Sequence, residues 1–324
     1  MKSSLIEWFS FNSNNSYTII NNIETVLVVG SVYSVYVYLS IPNVDAKKTL
    51  IVCASAIPEE ILGKFGLAVV FSELRPGLIK VYDYFKYLVD SFPLKLFLRI
   101  KNKKIKYFGV DHLFYSDILH WNDYELVEDG SLNYIFGDVH QPLLYKLLLG
   151  KQFGLSCRCK RIYLTGIMDV PRNIEHKVYK LDLILNSALA NFFEVESLNV
   201  NKDTSFLLTQ PLSEDGFILE SEKIDVYKNI LNKMGCSIEG YNVIIKPHPR
   251  ETTDYKKFFP NVLVLKAHIP FELYRREVIK ARIVGTMFSS SIFGIEANKK
   301  FFAGTLGIAA IEHKFGVLRE KFCE

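Results

Sequence analysis

Short, unbroken runs of β-branched and other apolar residues, each followed by a segment long enough for a helix, recur along this chain and leave few folds open to it. Thr25-Val26-Leu27-Val28-Val29 ends in Gly30-Ser31, the form of a buried parallel strand that turns into a helix. Leu50-Ile51-Val52-Cys53 repeats the pattern, and further runs follow at 68–71, 105–110, 124–127 and 161–165. This alternation predicts an α/β fold with a largely parallel sheet. A second series occupies 205–209, 242–246, 262–265 and 281–285. Between its first two members Ile224, Tyr227, Ile230 and Leu231 recur at helical spacing, with Gly235 placed to end the helix. The second half therefore reads as a βαβ domain of its own.

At 324 residues the chain exceeds what one hydrophobic core usually serves. Two domains are expected, 1–203 and 204–324, with the polar stretch 194–203 as connector. Ligands of open α/β sheets bind at the carboxyl ends of the strands, and two such domains facing each other would create a cleft there. Chemistry should be sought just after the strands.

Composition excludes several classes. Hydrophobic residues at 49% and charged residues at 23% are globular values and rule out a mainly disordered chain. A net charge of +4 is too slight to argue for nucleic acid, while an anionic small substrate or a membrane surface stays compatible. The five cysteines, Cys53, Cys157, Cys159, Cys236 and Cys323, are odd in number and scattered, which suits a reducing compartment better than a disulfide framework. Cys157-Arg158-Cys159 lacks the second pair a zinc site needs. Met1 to Ser4 lead into a polar Asn/Ser stretch rather than an apolar run, so no secretory signal is expected and the protein should stay in the cytoplasm. Residues 26–41 are apolar but shorter than a bilayer span and interrupted by Gly30, Ser31 and Ser34, which favours strand, turn and helix.

Three motifs stand directly after predicted strands. Glu128-Asp129-Gly130-Ser131 follows 124–127; a carboxylate there could take a proton from a hydroxyl, and the same residues would also serve as a solvated acidic turn. Lys246-Pro247-His248-Pro249-Arg250 follows 242–246. Its two prolines should keep the chain extended and present the His248 imidazole rigidly, beside two cations that favour an anion such as a leaving phosphate. His112, His120, His140, His176, His268 and His313 lack such settings and read as ordinary. Ser289-Ser290-Ser291 follows 281–285 and is expected to open an apolar helix whose N–H groups and hydroxyls would bind phosphate, though one serine could be an ordinary cap.

Lesser signals are Asp215, a second candidate base in the loop after 205–209, and Glu272 of Pro270-Phe271-Glu272, which could hold a ribose or base or simply start a helix. No nucleotide-binding glycine loop, hydrolase elbow or zinc-protease motif is present, and no Asp-x-Asp. Without that metal-chelating pair, protein donors must stabilise a sugar nucleotide's phosphate.

Glu128-Asp129-Gly130, His248-Pro249 and Ser289-Ser290, in this order, resemble the bacterial sialyltransferases of glycosyltransferase family 52, as do residues 26–39 and Leu208-Thr209-Gln210-Pro211-Leu212. The resemblance implies a GT-B-like architecture of two Rossmann-like domains with mostly parallel sheets facing a central cleft. The first would be the acceptor-side domain and the second the nucleotide-sugar domain. It also implies CMP-sialic acid as donor, a terminal galactose of a capsule or lipooligosaccharide glycan as acceptor, inversion at the anomeric carbon, and no cofactor or required metal.

Asp129 is the preferred base by analogy with the family motif, with Asp215 kept as the alternative. His248, Lys246, Pro249, Arg250, Glu272, Ser289, Ser290 and Ser291 form the expected donor site. Other readings are a GT-B transferase using another nucleotide sugar and a non-catalytic scaffold in polysaccharide assembly. Lys101, Lys103, Lys104 and Lys106 could then touch the inner face of the membrane, and a homodimer is compatible.

Overall fold

A computed structural model describes residues 6–9, 22–54, 56–72, 79–100, 105–135, 151–183, 186–236 and 242–323. The chain divides into two compact units, Met1–Phe192 and Phe193–Glu324, each built on its own sheet. The polar stretch 194–203, expected as connector, belongs to the second unit and leads irregularly into its first strand.

Unit one holds β1 (Ile6–Phe9), β2 (Thr25–Val28), β3 (Thr49–Ala54), β4 (Leu67–Phe71), β5 (Lys106–Gly109), β6 (Tyr124–Val127), β7 (Cys159–Leu164) and β8 (Val178–Lys180). Their order across the sheet is β1-β4-β3-β2-β5-β6-β7-β8, all parallel except β1, which runs antiparallel along β4. β2 and β3 are buried along their whole length, which is why they read as unbroken apolar runs. Gly30 and Ser31 turn the chain into the helix Val32–Leu39, so residues 26–41 are strand, turn and helix as expected.

The chain winds from β2 outward to β4 and returns to β5 on the other side of β2. That reversal makes the carboxyl ends of β2 and β5 a topological switch point, where open α/β sheets place ligands. Gly109 closes β5 there with φ +152, and a Cβ at this position would lie 2.2 Å from the Val28 carbonyl oxygen. Only glycine lets the two strand ends approach so closely.

Unit two holds β9 (Ser205–Leu208), β10 (Val243–Lys246), β11 (Leu263–Val264), β12 (Ile283–Thr286), β13 (Lys300–Phe302) and β14 (Lys321–Cys323), ordered β11-β10-β9-β12-β13-β14. All pair in parallel except β13 with β14. The helix Glu220–Lys233 buries Ile224, Tyr227, Ile230 and Leu231, the positions its spacing marks, and Gly235 follows it at φ +65. This unit also winds out from its first strand to β11 and returns beside β9 at β12, so its switch point lies between β9 and β12.

The short strands β1, β8 and β14 at the sheet edges, and β13 next to β14, are additions to the predicted set. Among the described residues no helix is long and apolar enough to cross a membrane. Lys101, Lys103, Lys104 and His140 lie outside the described residues, and Lys106 opens β5 with its side chain exposed.

Candidate functional site

At the switch point of unit one the turn after β6 separates its two carboxylates by environment. Glu128 is fully buried and accepts from Tyr33 Oη at 2.9 Å, Tyr134 Oη at 2.9 Å, Thr165 Oγ1 at 3.0 Å and the Thr165 amide at 2.5 Å. Burial pushes its carboxyl above the ordinary range against the pull of those donors. Glu128 therefore braces the ends of β6 and β7 and has no lone pair to spare for a substrate.

Asp129 differs: its side chain keeps 13% exposure. One oxygen, Oδ1, accepts the hydroxyls of Ser31 and Ser34, each at 2.6 Å. Ser31 is also the N-cap of Val32–Leu39, so Asp129 stands at the positive end of that helix. Gly130, at φ +81, supplies the left-handed turn that releases the chain behind it.

The other oxygen, Oδ2, lies 3.7 Å from His112 Nε2, at the end of β5. In the sequence His112 reads as ordinary, because its partner is distant and no local motif marks it. The His112 ring stacks on Phe153, with centroids 4.8 Å apart and 19° between planes. Phe153 is held in the left-handed region at φ +53, an arrangement that costs a non-glycine residue about 1 kcal/mol or more. Buried Asp111 offsets the cost by accepting the amides of Phe153 at 2.7 Å and Gly154 at 2.8 Å.

In unit two, His248 follows β10. Its main chain turns rather than running extended as expected: the Glu251 amide donates to the His248 carbonyl at 3.0 Å, with Pro249 at the second turn position that suits its fixed φ. The Arg250 amide donates to His248 Nδ1 at 3.2 Å. Nδ1 is thus an acceptor, which leaves the proton on Nε2, a nitrogen without a partner among the described residues. Burial, reinforced by Arg250 and Lys246, pushes the imidazole down to about 4. At neutral pH the side chain is an uncharged N–H donor.

The turn rests on a charged network that the sequence did not reveal. Glu251 Oε2 accepts the His248 amide and the Thr209 hydroxyl, both at 2.6 Å, while Oε1 accepts Tyr255 Oη at 2.5 Å and lies 2.9 Å from Lys223 Nζ. Lys223 is itself fully buried and also meets Glu214 at 2.8 Å. Burial alone would raise the Glu214 carboxyl, but Lys223 and the Thr252 amide outweigh it and hold it down at about 2.

Four expected site residues are committed elsewhere. Lys246 is buried and donates to the carbonyls of Pro247 at 2.6 Å and Ala267 at 2.8 Å; burial pushes its ammonium down to about 8. It staples the strand exit and does not present a cation. Arg250 and Asp215 bind each other through both carboxylate oxygens, at 2.6 and 3.1 Å, so Asp215 is a poor base. Glu272 sits half-buried in the one-turn helix Phe271–Tyr274, behind Pro270, and helps keep Lys246 charged.

Ser289, Ser290 and Ser291 follow β12, all half-buried, and their hydroxyls have no partner among the described residues. They open a single 3-10 turn, Ser290–Ile292, in place of the expected apolar helix. Three serines and Gly294 are poor helix formers, since serine competes for the backbone and glycine loses more entropy on ordering. The helix-dipole argument for phosphate falls here, and the hydroxyls themselves remain. Gln210, at the end of β9, accepts the Phe288 amide on Oε1 at 3.1 Å and ties the two sides of the switch point together. Lys246, Leu208 and Thr286 stand level in the sheet, so the strands that lead to the His248 turn and to the serines both end at its carboxyl end, their last residues two strands and about 10 Å apart. Among the described residues no three His, Cys, Asp or Glu side chains are grouped to hold a metal ion.

The chain is 35% identical over 253 residues to an uncharacterised protein of Haemophilus influenzae, covering 73% of this chain and 81% of that one. Its fold is similar to an alpha/beta-galactoside alpha-2,3-sialyltransferase from the luminous marine bacterium Photobacterium phosphoreum (16% identity, TM-score 0.46, covering 91% of this chain and 98% of that chain). It is also similar to the GT-B domain of a Photobacterium damselae sialyltransferase (14% identity, TM-score 0.45, 85% and 89%). Residues 79–307, which hold Asp129, His248 and the serine cluster, match the profile of glycosyltransferase family 52, and the chain belongs to that family.

Proposed function

We propose that this glycosyltransferase moves sialic acid from CMP-sialic acid to a terminal galactose of a lipooligosaccharide or capsule glycan, with inversion and without a required metal. The observation that carries the reading is the placement, at the carboxyl end of one sheet, of a neutral imidazole N–H and three hydroxyls without partners among the described residues. Donors of this kind suit a single phosphate. CMP-sialic acid carries one, whereas most sugar nucleotides carry two and need more counter-charge than these residues offer.

In the proposed reaction a galactose hydroxyl oxygen bonds to the anomeric carbon as the bond from that carbon to the CMP phosphate breaks. The hydroxyl proton passes to Asp129, and the departing electron pair settles on the phosphate. His248 Nε2–H and the hydroxyls of Ser289, Ser290 and Ser291 hydrogen-bond that oxygen as its charge grows. Asp129 suits the base because Ser31 and Ser34 fix one oxygen and leave the other for the acceptor.

The test is incubation with CMP-sialic acid and a panel of galactosides, with release of CMP and formation of sialylated product both followed. Thermal shift against other nucleotide sugars runs alongside, since the true donor raises the melting temperature most. No product from any galactoside, with a larger shift from a diphosphate sugar, would overturn the assignment of donor.

A further inference from the structure

We infer that His112 is a positioning residue for the transfer step, holding Asp129 Oδ2 in the direction from which the acceptor hydroxyl is deprotonated. The inference rests on the proposed role of Asp129 as base.

Asp129 has two oxygens with different surroundings. Oδ1 is saturated by the Ser31 and Ser34 hydroxyls, so the acceptor proton must go to Oδ2. The described partner of Oδ2 is His112 Nε2, at 3.7 Å, a separation that is long for a hydrogen bond but of the kind that tightens when substrate enters.

The tautomer follows from what surrounds the ring. His112 Nδ1 is buried and has no hydrogen-bond partner among the described residues. A proton there would be a buried donor without an acceptor, and it would turn the Nε2 lone pair against a carboxylate. With the proton on Nε2 the ring donates toward Oδ2, and only a weak neutral acceptor goes unsatisfied. Among the described residues, therefore, no second polar group aims His112.

The aim comes from packing. Phe153 lies flat on the imidazole, and the chain accepts a left-handed backbone at Phe153 to put it there, anchored by two amides on Asp111, the residue just before His112. Backbone strain, a buried carboxylate and an aromatic face thus converge on one imidazole edge. Structural packing alone would not require that edge to be polar or to face the base.

Three variants test this in the full chain: His112→Leu keeps apolar packing on Phe153 and removes the donor, His112→Gln keeps an N–H near the Nε2 position, and Phe153→Leu removes the flat face without changing the backbone requirement. Misplacing a reacting group by about an ångström costs about 100-fold, so His112→Leu should lower kcat for transfer by about 30-fold, with KM for CMP-sialic acid within about twofold. His112→Gln should recover to within about fivefold of wild type, and Phe153→Leu should fall about tenfold. Melting curves accompany each, and if His112→Leu does not fold, Phe153→Leu and His112→Gln decide.

A role in packing predicts the reverse order, with Leu tolerated better than Gln. Leu as active as wild type, Leu and Gln equally impaired, or Phe153→Leu unaffected would overturn the inference. Failure of the underlying reading looks different: wild type itself would then transfer nothing from CMP-sialic acid.

Discussion

Lys223→Met removes an ammonium that has no exposed surface and lies 2.8 Å from Glu214 and 2.9 Å from Glu251. Methionine keeps much of the packing of the lysine stem, so the loss is mainly one of charge. Glu251, whose side chain is wholly buried, then keeps its bonds to Thr209, Tyr255 and the His248 amide but loses its counter-charge. Breaking a buried pair from one side costs about 3–5 kcal/mol. At about 2–4 °C per kcal/mol, the melting transition of unit two should fall by about 10 °C at neutral pH.

The pH dependence has a definite sign. Glu214 is held at about 2 against an ordinary 4.5, so its share of the stability is present above 4.5 and is lost as pH falls toward 2. The gap between wild type and Lys223→Met should narrow over that window. Calorimetry at stepped pH, with and without CMP, measures both effects, and the variant should also show a smaller CMP-induced shift because the His248 turn is no longer fixed. Adding Glu251→Gln should return part of the lost stability, since the orphaned charge is gone. A fall of less than about 2 °C at neutral pH, or a gap that widens toward acid, would refute the claim that buried charge holds the turn.

Other outcomes follow from the proposed reaction. Asp129→Asn should cut transfer by about 100-fold or more while CMP binding by thermal shift is unchanged, whereas Asp215→Asn, which removes half of a surface ion pair, should cost under about 1 kcal/mol and leave transfer nearly intact. His248→Ala should lower kcat by about 100-fold with the fold retained, and His248→Gln, which keeps an N–H donor, should lie between it and wild type; CMP release reads both. Native His248 titrates at about 4 against an ordinary 6.5, so the unfolded chain takes up its proton first and stability is lost as pH falls from 6.5 to 4; His248→Gln should melt with less acid sensitivity across that interval.

Which parts of this protein could be read from its residues follows from the range of the interactions involved. β2, β3, β9 and β12 are buried along their lengths, and burial on both faces writes itself into contiguous residues as an apolar run. The sites after them inherit that legibility, because a strand end and the residue beyond it are neighbours in sequence. β8 and β13, three residues each at or near the sheet edges, leave no such record.

The division of labour within each motif was hidden for a different reason. Glu128 and Asp129 are adjacent, yet one is spent on Tyr33, Tyr134 and Thr165 and the other receives Ser31 and Ser34, and these partners come from chain segments up to 98 residues away. Lys246 and Arg250 look like anion ligands by type and position, and both are consumed by contacts that only the fold brings close. His112 is the converse case, a residue plain in sequence that becomes chemically placed because β5 and β6 are neighbours and Phe153 is folded back over it. Local sequence thus locates the strand ends where a reaction can be housed, while the choice of which side chain there stays free to react is made by long-range hydrogen bonds that satisfy all the others.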